Sequence, residues 1–115
     1  ANPGLRSKIS PEIVVGDRFG AASDPKFVEC VHAAFADVGF RVSRNMPFAG
    51  AYISQHYGKP KRGQHVIQIE IDRSLYLDEA SIKPLASFAD FQNRLRTVIE
   101  KIAVVKLGKD RIAAE

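Results

Sequence analysis

The feature that most restricts the fold of this chain is a short apolar run at residues 13–15 (Ile-Val-Val), which Pro11 and Gly16 bound. A strand with one face in water alternates apolar and polar residues, whereas this run has no polar position. The run therefore predicts a strand that is covered on both faces. Such strands occur in layered α/β folds.

A helix is expected after this strand and the loop at residues 16–20. Ser23 or Asp24 supplies an N-cap, Pro25 suits the first helical position, and Gly39 supplies a C-terminal stop. Between these signals, apolar residues recur at helical spacing, at Phe27, Val31, Ala34, Phe35 and Val38. The pattern predicts one amphipathic helix.

Two further strands are expected at residues 40–43 and 65–71. The second of these alternates three isoleucines with Val66, Gln68 and Glu70. Because side chains alternate across a strand, the isoleucines share one face and the other three residues share the opposite face.

A loop and a long helix complete the pattern. Residues 46–63 contain three Gly and two Pro, which predicts a loop with a turn of helix at residues 52–57. Ser87 and Asp90 resemble a capping box, and Gly108 is expected to end the helix that they begin. One apolar face of this helix is marked by Phe88, Phe91, Leu95, Val98, Ile99, Ile102 and Val105.

The order strand, helix, strand, loop, strand, helix predicts an α/β fold with at least partly parallel strands. About three strands and two main helices barely cover both faces of such a sheet. We therefore expect residues 1–115 to form a single domain that is either part of a larger one or a homo-oligomer. The ends, at residues 1–10 and 108–115, are expected to be flexible.

Composition and charge restrict the function. The 115 residues are 45% hydrophobic, as in ordinary globular domains, and no run approaches the roughly 18 apolar residues of a membrane span. The polar N-terminal residues lack the apolar centre of a signal peptide, so a cytoplasmic location is expected. Cys30 is the only cysteine, and its place in the helical pattern predicts a buried, inert thiol.

The net charge of +4 favours a solvated basic surface over a nucleic-acid site, and a small anionic substrate would fit the same excess of positive charge. The basic residues are mixed with acidic ones along the chain, apart from a local cluster at Lys59, Lys61 and Arg62. Aromatic residues do not alternate with basic ones, as an RNA-binding strand surface needs. No nucleic-acid partner and no membrane partner is expected.

Polar residues directly follow the first two strands. Asp17 and Arg18 lie in a loop bracketed by glycines, where α/β sheets bind ligands, although a structural turn explains them as well. Arg44 and Asn45 end the second strand. An Arg fork beside an amide can clamp a carboxylate, and loop closure by backbone hydrogen bonds is an equal alternative.

Glu70 stands between two isoleucines on the third strand. A carboxylate there is either exposed at a sheet edge or a general base whose environment tunes it. Arg73 and Tyr76, a few residues on, are its candidate partners.

The three histidines give no metal signature. His32 falls inside the first helix and is expected to be structural, while His56 and His65 flank the basic cluster without the short spacing of a zinc motif. The chain also has no nucleophile elbow, P-loop or dinucleotide-binding glycine motif.

Taken together, the chain resembles the N-formylglutamate amidohydrolase (N-formylglutamate deformylase) family over roughly residues 11–105. The motifs that carry the resemblance occur in order as Gly16-Asp17-Arg18-Phe19-Gly20, Arg44-Asn45-Met46-Pro47-Phe48-Ala49-Gly50, Tyr52-Ile53, His56-Tyr57-Gly58, Gln68-Ile69-Glu70-Ile71 and Arg73-Ser74-Leu75-Tyr76-Leu77-Asp78-Glu79. The chain departs from the pattern at Ala51, where a second glycine is usual.

The resemblance implies a three-layer α/β/α fold of the zinc-exopeptidase type, present here as a partial version. It also implies a zinc-dependent amide hydrolase that converts N-formyl-L-glutamate and water to formate and L-glutamate, a step in one route of histidine degradation. In such enzymes, zinc lowers the pKa of its bound water toward ~7.

Carried onto this chain, the resemblance implies that Glu70 is the catalytic carboxylate that takes the proton of the attacking water. Arg44 and Asn45 are implied to bind the substrate carboxylate, with Tyr52, His56 and Arg73 as weaker substrate-binding candidates.

The zinc ligands of such enzymes lie upstream of the matched region, so none is identified in this chain. We therefore expect the C-terminal part of a larger hydrolase, inactive by itself, whose partners are a small acidic substrate and a missing N-terminal half. The alternative is a non-catalytic module that binds an acidic metabolite.

Overall fold

The computed structural model describes residues 10–47 and 49–114, with side chains described up to residue 104. The elements in chain order are β1 (Ile13–Gly16), α1 (Pro25–Asp37), β2 (Val42–Arg44), α2 (Tyr52–Tyr57), a 3-10 turn (Pro60–Arg62), β3 (Gln68–Ile71), a second 3-10 turn (Arg73–Leu75), β4 (Leu77–Asp78), β5 (Lys83–Pro84) and α3 (Phe88–Ala114). The fold is a small α/β arrangement, as the order of elements predicted.

Strands β1, β2 and β3 form one sheet in the order β2-β1-β3. β1 is parallel to β2 and antiparallel to β3, so the expectation of a partly parallel sheet is confirmed. All four residues of β1 are buried, as its unbroken apolar run predicted. β4 and β5 form a separate two-stranded hairpin.

Helices α1 and α3 pack on one face of this sheet, which we call the helix face. The residues of the sheet that join the apolar core there are Ile13, Val15, Val42, Ile69 and Ile71. Burying an aliphatic side chain of this size contributes about 1.5–3 kcal/mol. Since side chains alternate along each strand, the opposite or polar face carries Val14, Ser43, Gln68 and Glu70.

The start of α1 follows the capping signals of the sequence. The Asp24 side chain accepts a hydrogen bond from the backbone N–H of Lys26 at 2.9 Å, and Pro25 occupies the first turn. Gly39 follows the helix with φ of +93°, a left-handed conformation that glycine adopts without steric cost.

The long helix α3 departs from two expectations. It continues past Gly108 to Ala114, so the predicted helix end at residue 108 is wrong. The expected flexibility of this segment stays a prediction. An isolated glycine costs a helix only about 1 kcal/mol, which good helix formers on both sides offset. The second departure is Ile99, which was expected on the apolar face of the helix but is 58% exposed. It lies about 100° around the helix from the buried Val98, outside the buried stripe. The expected ends at 1–9 and Glu115, and the side chain of Val105, lie outside the described residues.

The third strand is shorter than predicted because its first residues bond elsewhere. The backbone N–H of Val66 donates to the carbonyl of Ala22, and His65 Nδ1 accepts from the backbone N–H of Asp24 at 2.9 Å. His65 also packs on Phe27, with 4.5 Å between ring centroids. These contacts tie residues 65–66 to the loop before α1 and keep them out of the ladder.

Residues 59–64 form the basic turn, which is closed by two backbone hydrogen bonds between Lys59 and Gln64 at 2.7 and 3.1 Å. Gly63, with φ of +76°, faces open space there.

Cys30 is half-buried rather than fully buried and carries a free thiol. No helix of the described residues has both the length and the apolarity to cross a membrane.

Candidate functional site

Three segments meet at one edge of the sheet. The carboxyl ends of the parallel strands β1 and β2 lie there, and so does the amino end of the antiparallel strand β3, because Gly16 pairs with Gln68. We call this edge the crevice end, and it comprises residues 16–20, residues 45–47 and 49–51, and Gln68. It corresponds to the position where open α/β sheets bind their ligands.

Asn45 organises the loop after β1. Its Oδ1 accepts hydrogen bonds from the backbone N–H groups of Asp17 (3.0 Å) and Phe19 (3.2 Å), and its Nδ2 donates to Asp17 Oδ1 (2.9 Å). Asn45 and Asp17 are both buried. The network holds Arg18 and Phe19 in consecutive left-handed conformations, with φ of 55° and 54°. Asn45 is therefore directed at the loop, with both hydrogen bonds to its Oδ1 and one from its Nδ2 made there.

The segment at residues 49–51 lies across the end of β1. The backbone N–H of Arg18 donates to the carbonyl of Ala49 at 2.8 Å. A Cβ on Gly16 would lie only 2.9 Å from that carbonyl oxygen, so the close approach requires glycine at position 16. Gly50 has φ of +128°, and a Cβ there would meet the Cγ of Arg18 at 3.2 Å.

Glu70 is half-buried on the polar face, where it pairs with Val14. Gln68 Nε2 donates to Glu70 Oε1 at 2.6 Å, and Gln68 Oε1 accepts from the backbone N–H of Ala51 at 2.8 Å. One amide therefore joins Glu70 to the segment at the start of α2.

Arg44 lies on the helix face, because it pairs with Val15 rather than with a residue of the polar face. Its Nη2 is 2.8 Å from the carboxylate of Glu29, and its Nε donates to His32 Nδ1 at 3.0 Å. The sheet thus separates the guanidinium of Arg44 from the carboxylate of Glu70.

Tyr52 and His56 occupy the short helix α2 beside the crevice end. Their rings stack with centroids 5.3 Å apart and an interplanar angle of 18°, and His56 also contacts the ring of Tyr57 at 4.6 Å. All three side chains are exposed. They are therefore accessible to a ligand at this edge.

Arg73 and Tyr76 lie toward the other end of the sheet. The residue after β3, Asp72, donates its backbone N–H to Glu12, which precedes β1. Arg73 is exposed and is 3.9 Å from Glu79, while the ring of Tyr76 packs on that of Phe91 with centroids 5.3 Å apart. The structure does not bring either residue to Glu70.

The comparison with known proteins decides the family. The sequence model of N-formylglutamate amidohydrolase matches residues 1–77 of the chain. The chain belongs to the N-formylglutamate amidohydrolase family. The resemblance seen in the ordered motifs is therefore confirmed.

Three relatives show how much of the family protein this chain represents. It is 31% identical over 106 residues to the N-formylglutamate deformylase of Pseudomonas aeruginosa, covering 90% of the chain and 39% of that relative. It is 28% identical over 104 residues to the N-formylglutamate deformylase of Pseudomonas putida, covering 88% and 38%. The crystal structure of N-formylglutamate amidohydrolase from Ralstonia eutropha JMP134 matches with a TM-score of 0.77 and 30% identity, covering 90% and 39%. The chain thus spans less than two fifths of these relatives.

Zinc, which the family resemblance implied, has no fitting donor set in the described part of the chain. Within residues 10–47 and 49–104, no three His, Cys, Asp or Glu residues form a group that could hold a metal ion. His65 is engaged with Asp24, and His56 stacks on Tyr52.

Three residues contact predicted site residues without having been predicted to do so: Gln68, Glu29 and His32. Gln68 had a visible signal, since it stands two residues from Glu70 and shares its strand face. Glu29 and His32 stand three residues apart on one side of α1, which is the spacing that lets both reach Arg44. That Arg44 is their partner depends on the register of β2 against β1, and the spacing of residues along α1 gives no information about that register.

Proposed function

We propose that this chain supplies the general base and part of the substrate pocket of an N-formylglutamate deformylase. The observation that carries the proposal is the placement of Glu70. Its carboxylate is half-buried on the polar face and is fixed by the 2.6 Å hydrogen bond from Gln68, in a member of this family.

The reaction needs a group that first accepts a proton from water and then donates it to the leaving amine. As water attacks the formyl carbon, Glu70 takes the water proton, and as the C–N bond breaks it passes that proton to the leaving amine nitrogen of glutamate. Among the described residues, Gln68 is the hydrogen-bond partner of Glu70 and occupies Oε1. Oε2 is thereby available to the water.

The proposed substrate contacts come from the crevice end. Tyr52 and His56 present exposed rings on α2, and Asn45 acts by fixing the loop after β1. Arg44 and Arg73 are not included, because each already pairs with a glutamate away from Glu70.

The proposal assigns no step to a metal held by this chain, because the described residues lack a donor group for one. A place in histidine degradation belongs to the same proposal and derives from the family resemblance alone. A cytoplasmic location stays a prediction.

A chimera tests the proposal directly. Residues 10–105 of this chain replace the matching segment of the Pseudomonas aeruginosa deformylase, and formate release from N-formyl-L-glutamate is measured. We expect turnover in the chimera, and a loss on the order of 100-fold in its Glu70→Gln variant, as for removal of a general base. Glu79→Gln, which changes an exposed carboxylate, is the matched control. Equal rates for both variants would refute the role of Glu70.

A second candidate function is a module that binds an acidic metabolite without turnover. The lack of a metal-donor group among the described residues favours it. Calorimetry of the chain with N-formyl-L-glutamate, in the presence of a metal chelator, distinguishes the two functions. Such a module binds under these conditions while the chimera stays inert.

A further inference from the structure

We infer that Arg18 is the residue that binds a carboxylate of the substrate. This inference rests on the proposed function, since it names a contact within the same site. It gives the role of anion anchor to the loop after β1 instead of to Arg44.

Arg18 differs from the other half-buried arginines. Three arginines of the described residues are half-buried, and two of these are engaged: Arg44 with Glu29 and His32, and Arg94 with the carbonyl of Val38. Within residues 10–47 and 49–104, the guanidinium of Arg18 makes neither a hydrogen bond nor an ion pair. A partly desolvated cation without a counter-charge favours an anionic ligand.

The backbone around Arg18 is fixed before any ligand arrives. The amide groups on both sides of it, at Asp17 and Phe19, donate to Asn45, and its own N–H donates to Ala49. Its φ of 55° is costly for a residue with a side chain, so these three hydrogen bonds must offset that cost. A carboxylate that binds here does not have to order the loop.

A continuous set of contacts leads from Arg18 to Glu70. The stem of Arg18 lies against Gly50, where an added Cβ would be 3.2 Å from the Arg18 Cγ. The next residue, Ala51, donates to Gln68, which in turn donates to Glu70. Arg18 and Glu70 thus flank the same segment, whereas Arg44 lies beyond the sheet on the helix face.

The chemistry of the pair suits an N-acyl amino dicarboxylate. The planar guanidinium fork of arginine accepts a carboxylate in two parallel hydrogen bonds, which fixes orientation as well as position. With the carboxylate held by Arg18, the amide of the same molecule can extend along residues 49–51 toward Glu70.

The test is a calorimetric titration of the purified chain with two probes. N-formyl-L-glutamate contains the amide to be cleaved, and glutarate contains two carboxylates but no amide. We expect Arg18→Gln to weaken binding of both probes at least about tenfold, and Arg18→Lys to weaken it less, because lysine keeps the charge and loses the fork. Arg44→Gln and Arg62→Gln are the controls, because each removes one positive charge as Arg18→Gln does. We expect each control to change the affinity for either probe less than about twofold.

A second measurement needs no variant. In nitrogen-15 NMR spectra of the wild-type chain, the Nε–Hε resonance of Arg18 is expected to shift on titration with glutarate and to give the calorimetric Kd. The inference is overturned if this resonance stays still, if Arg18→Gln folds and binds like wild type, or if neither probe binds.

The outcome also separates this inference from the proposed function. Arg18-dependent binding of glutarate, together with a chimera that releases no formate, supports the anchor and contradicts the deformylase proposal. If the chimera with Arg18→Gln still releases formate and its KM is unchanged, the deformylase proposal is supported and the role of Arg18 as the anion anchor is overturned.

Discussion

The helix face and the crevice end of the three-stranded sheet use their polar groups differently. On the helix face, the guanidinium of Arg44 is paired with Glu29 and His32 of α1. At the crevice end, Arg18 is held by its backbone and keeps its guanidinium free of partners among the described residues. Arg44, the last residue of β2, and Arg18, two residues after β1, therefore contribute in opposite ways. One joins helix to sheet, and the other is available to a ligand.

The largest effect is expected in the apolar core of the helix face. Ile13 is fully buried under α1 and α3, and Ile13→Ala should lower the free energy of unfolding by about 2–5 kcal/mol through lost burial and a cavity. Urea denaturation measures this. The matched control is Ile53→Ala at the exposed side of α2, for which a change within about 0.5 kcal/mol is expected. Equal effects of the two substitutions would contradict the assignment of the core.

The next largest effect is expected at Asn45, where the crevice end depends on side-chain hydrogen bonds. Asn45→Ala leaves the backbone donors of Asp17 and Phe19 without their acceptor, which costs about 2–4 kcal/mol. Asn45→Gly separates the causes, because glycine tolerates the φ of 62° but cannot accept those bonds. Thermal unfolding of both variants is the measurement. A glycine variant as stable as wild type would show that the hydrogen bonds matter little.

A smaller effect is expected where two backbone segments touch. A Cβ on Gly58 would lie 2.5 Å from the carbonyl oxygen of Ser54 and 2.6 Å from the Cβ of Ala22, so Gly58→Ala forces the backbone apart at a cost of about 1–3 kcal/mol. Gly63→Ala is the control, since its Cβ meets nothing within 4 Å and only the φ of +76° opposes it. In chemical denaturation, Gly58→Ala must be the more destabilising of the two.

The smallest effect is expected from the paired arginine. The Arg44 and Glu29 side chains are 34% and 68% exposed, so solvent screens their attraction and the pair contributes about 0–1 kcal/mol. A double-mutant cycle with Arg44→Gln and Glu29→Gln measures this coupling. A coupling above about 2 kcal/mol would contradict a screened pair and would give the helix face a stronger electrostatic role.

The fold was predictable where one local pattern decides the structure. The apolar run at residues 13–15 predicted a covered strand, and Ser23 or Asp24 before Pro25 predicted a helix start; both elements were found, with Asp24 as the N-cap. The prediction that α3 ends at Gly108 was wrong. A glycine ends a helix when it adopts a left-handed conformation and the backbone N–H groups there bond to the last helical carbonyls, whereas α3 continues through Gly108.

The site was less predictable, because its contacts depend on strand register and loop closure. The sequence places Arg44 at a strand end, but the pairing of Arg44 with Val15 determines which face it occupies. Glu70 and the Asp17–Arg18 loop were selected from local pattern alone. Their connection through Gln68 and residues 49–51 required the three-dimensional structure.

The basic turn at residues 59–64 has a practical consequence. Its two Lys59–Gln64 backbone hydrogen bonds close it on itself, and a Cβ at Gly63 would meet nothing within 4 Å, so residues added at its tip begin in open space. A peptide tag inserted between Arg62 and Gly63 can therefore tether the chain to a surface or carry a fluorophore. Neither Arg18 nor Glu70 belongs to this turn, so we expect both to stay accessible in an immobilised form of the chain that is used to measure ligand residence times.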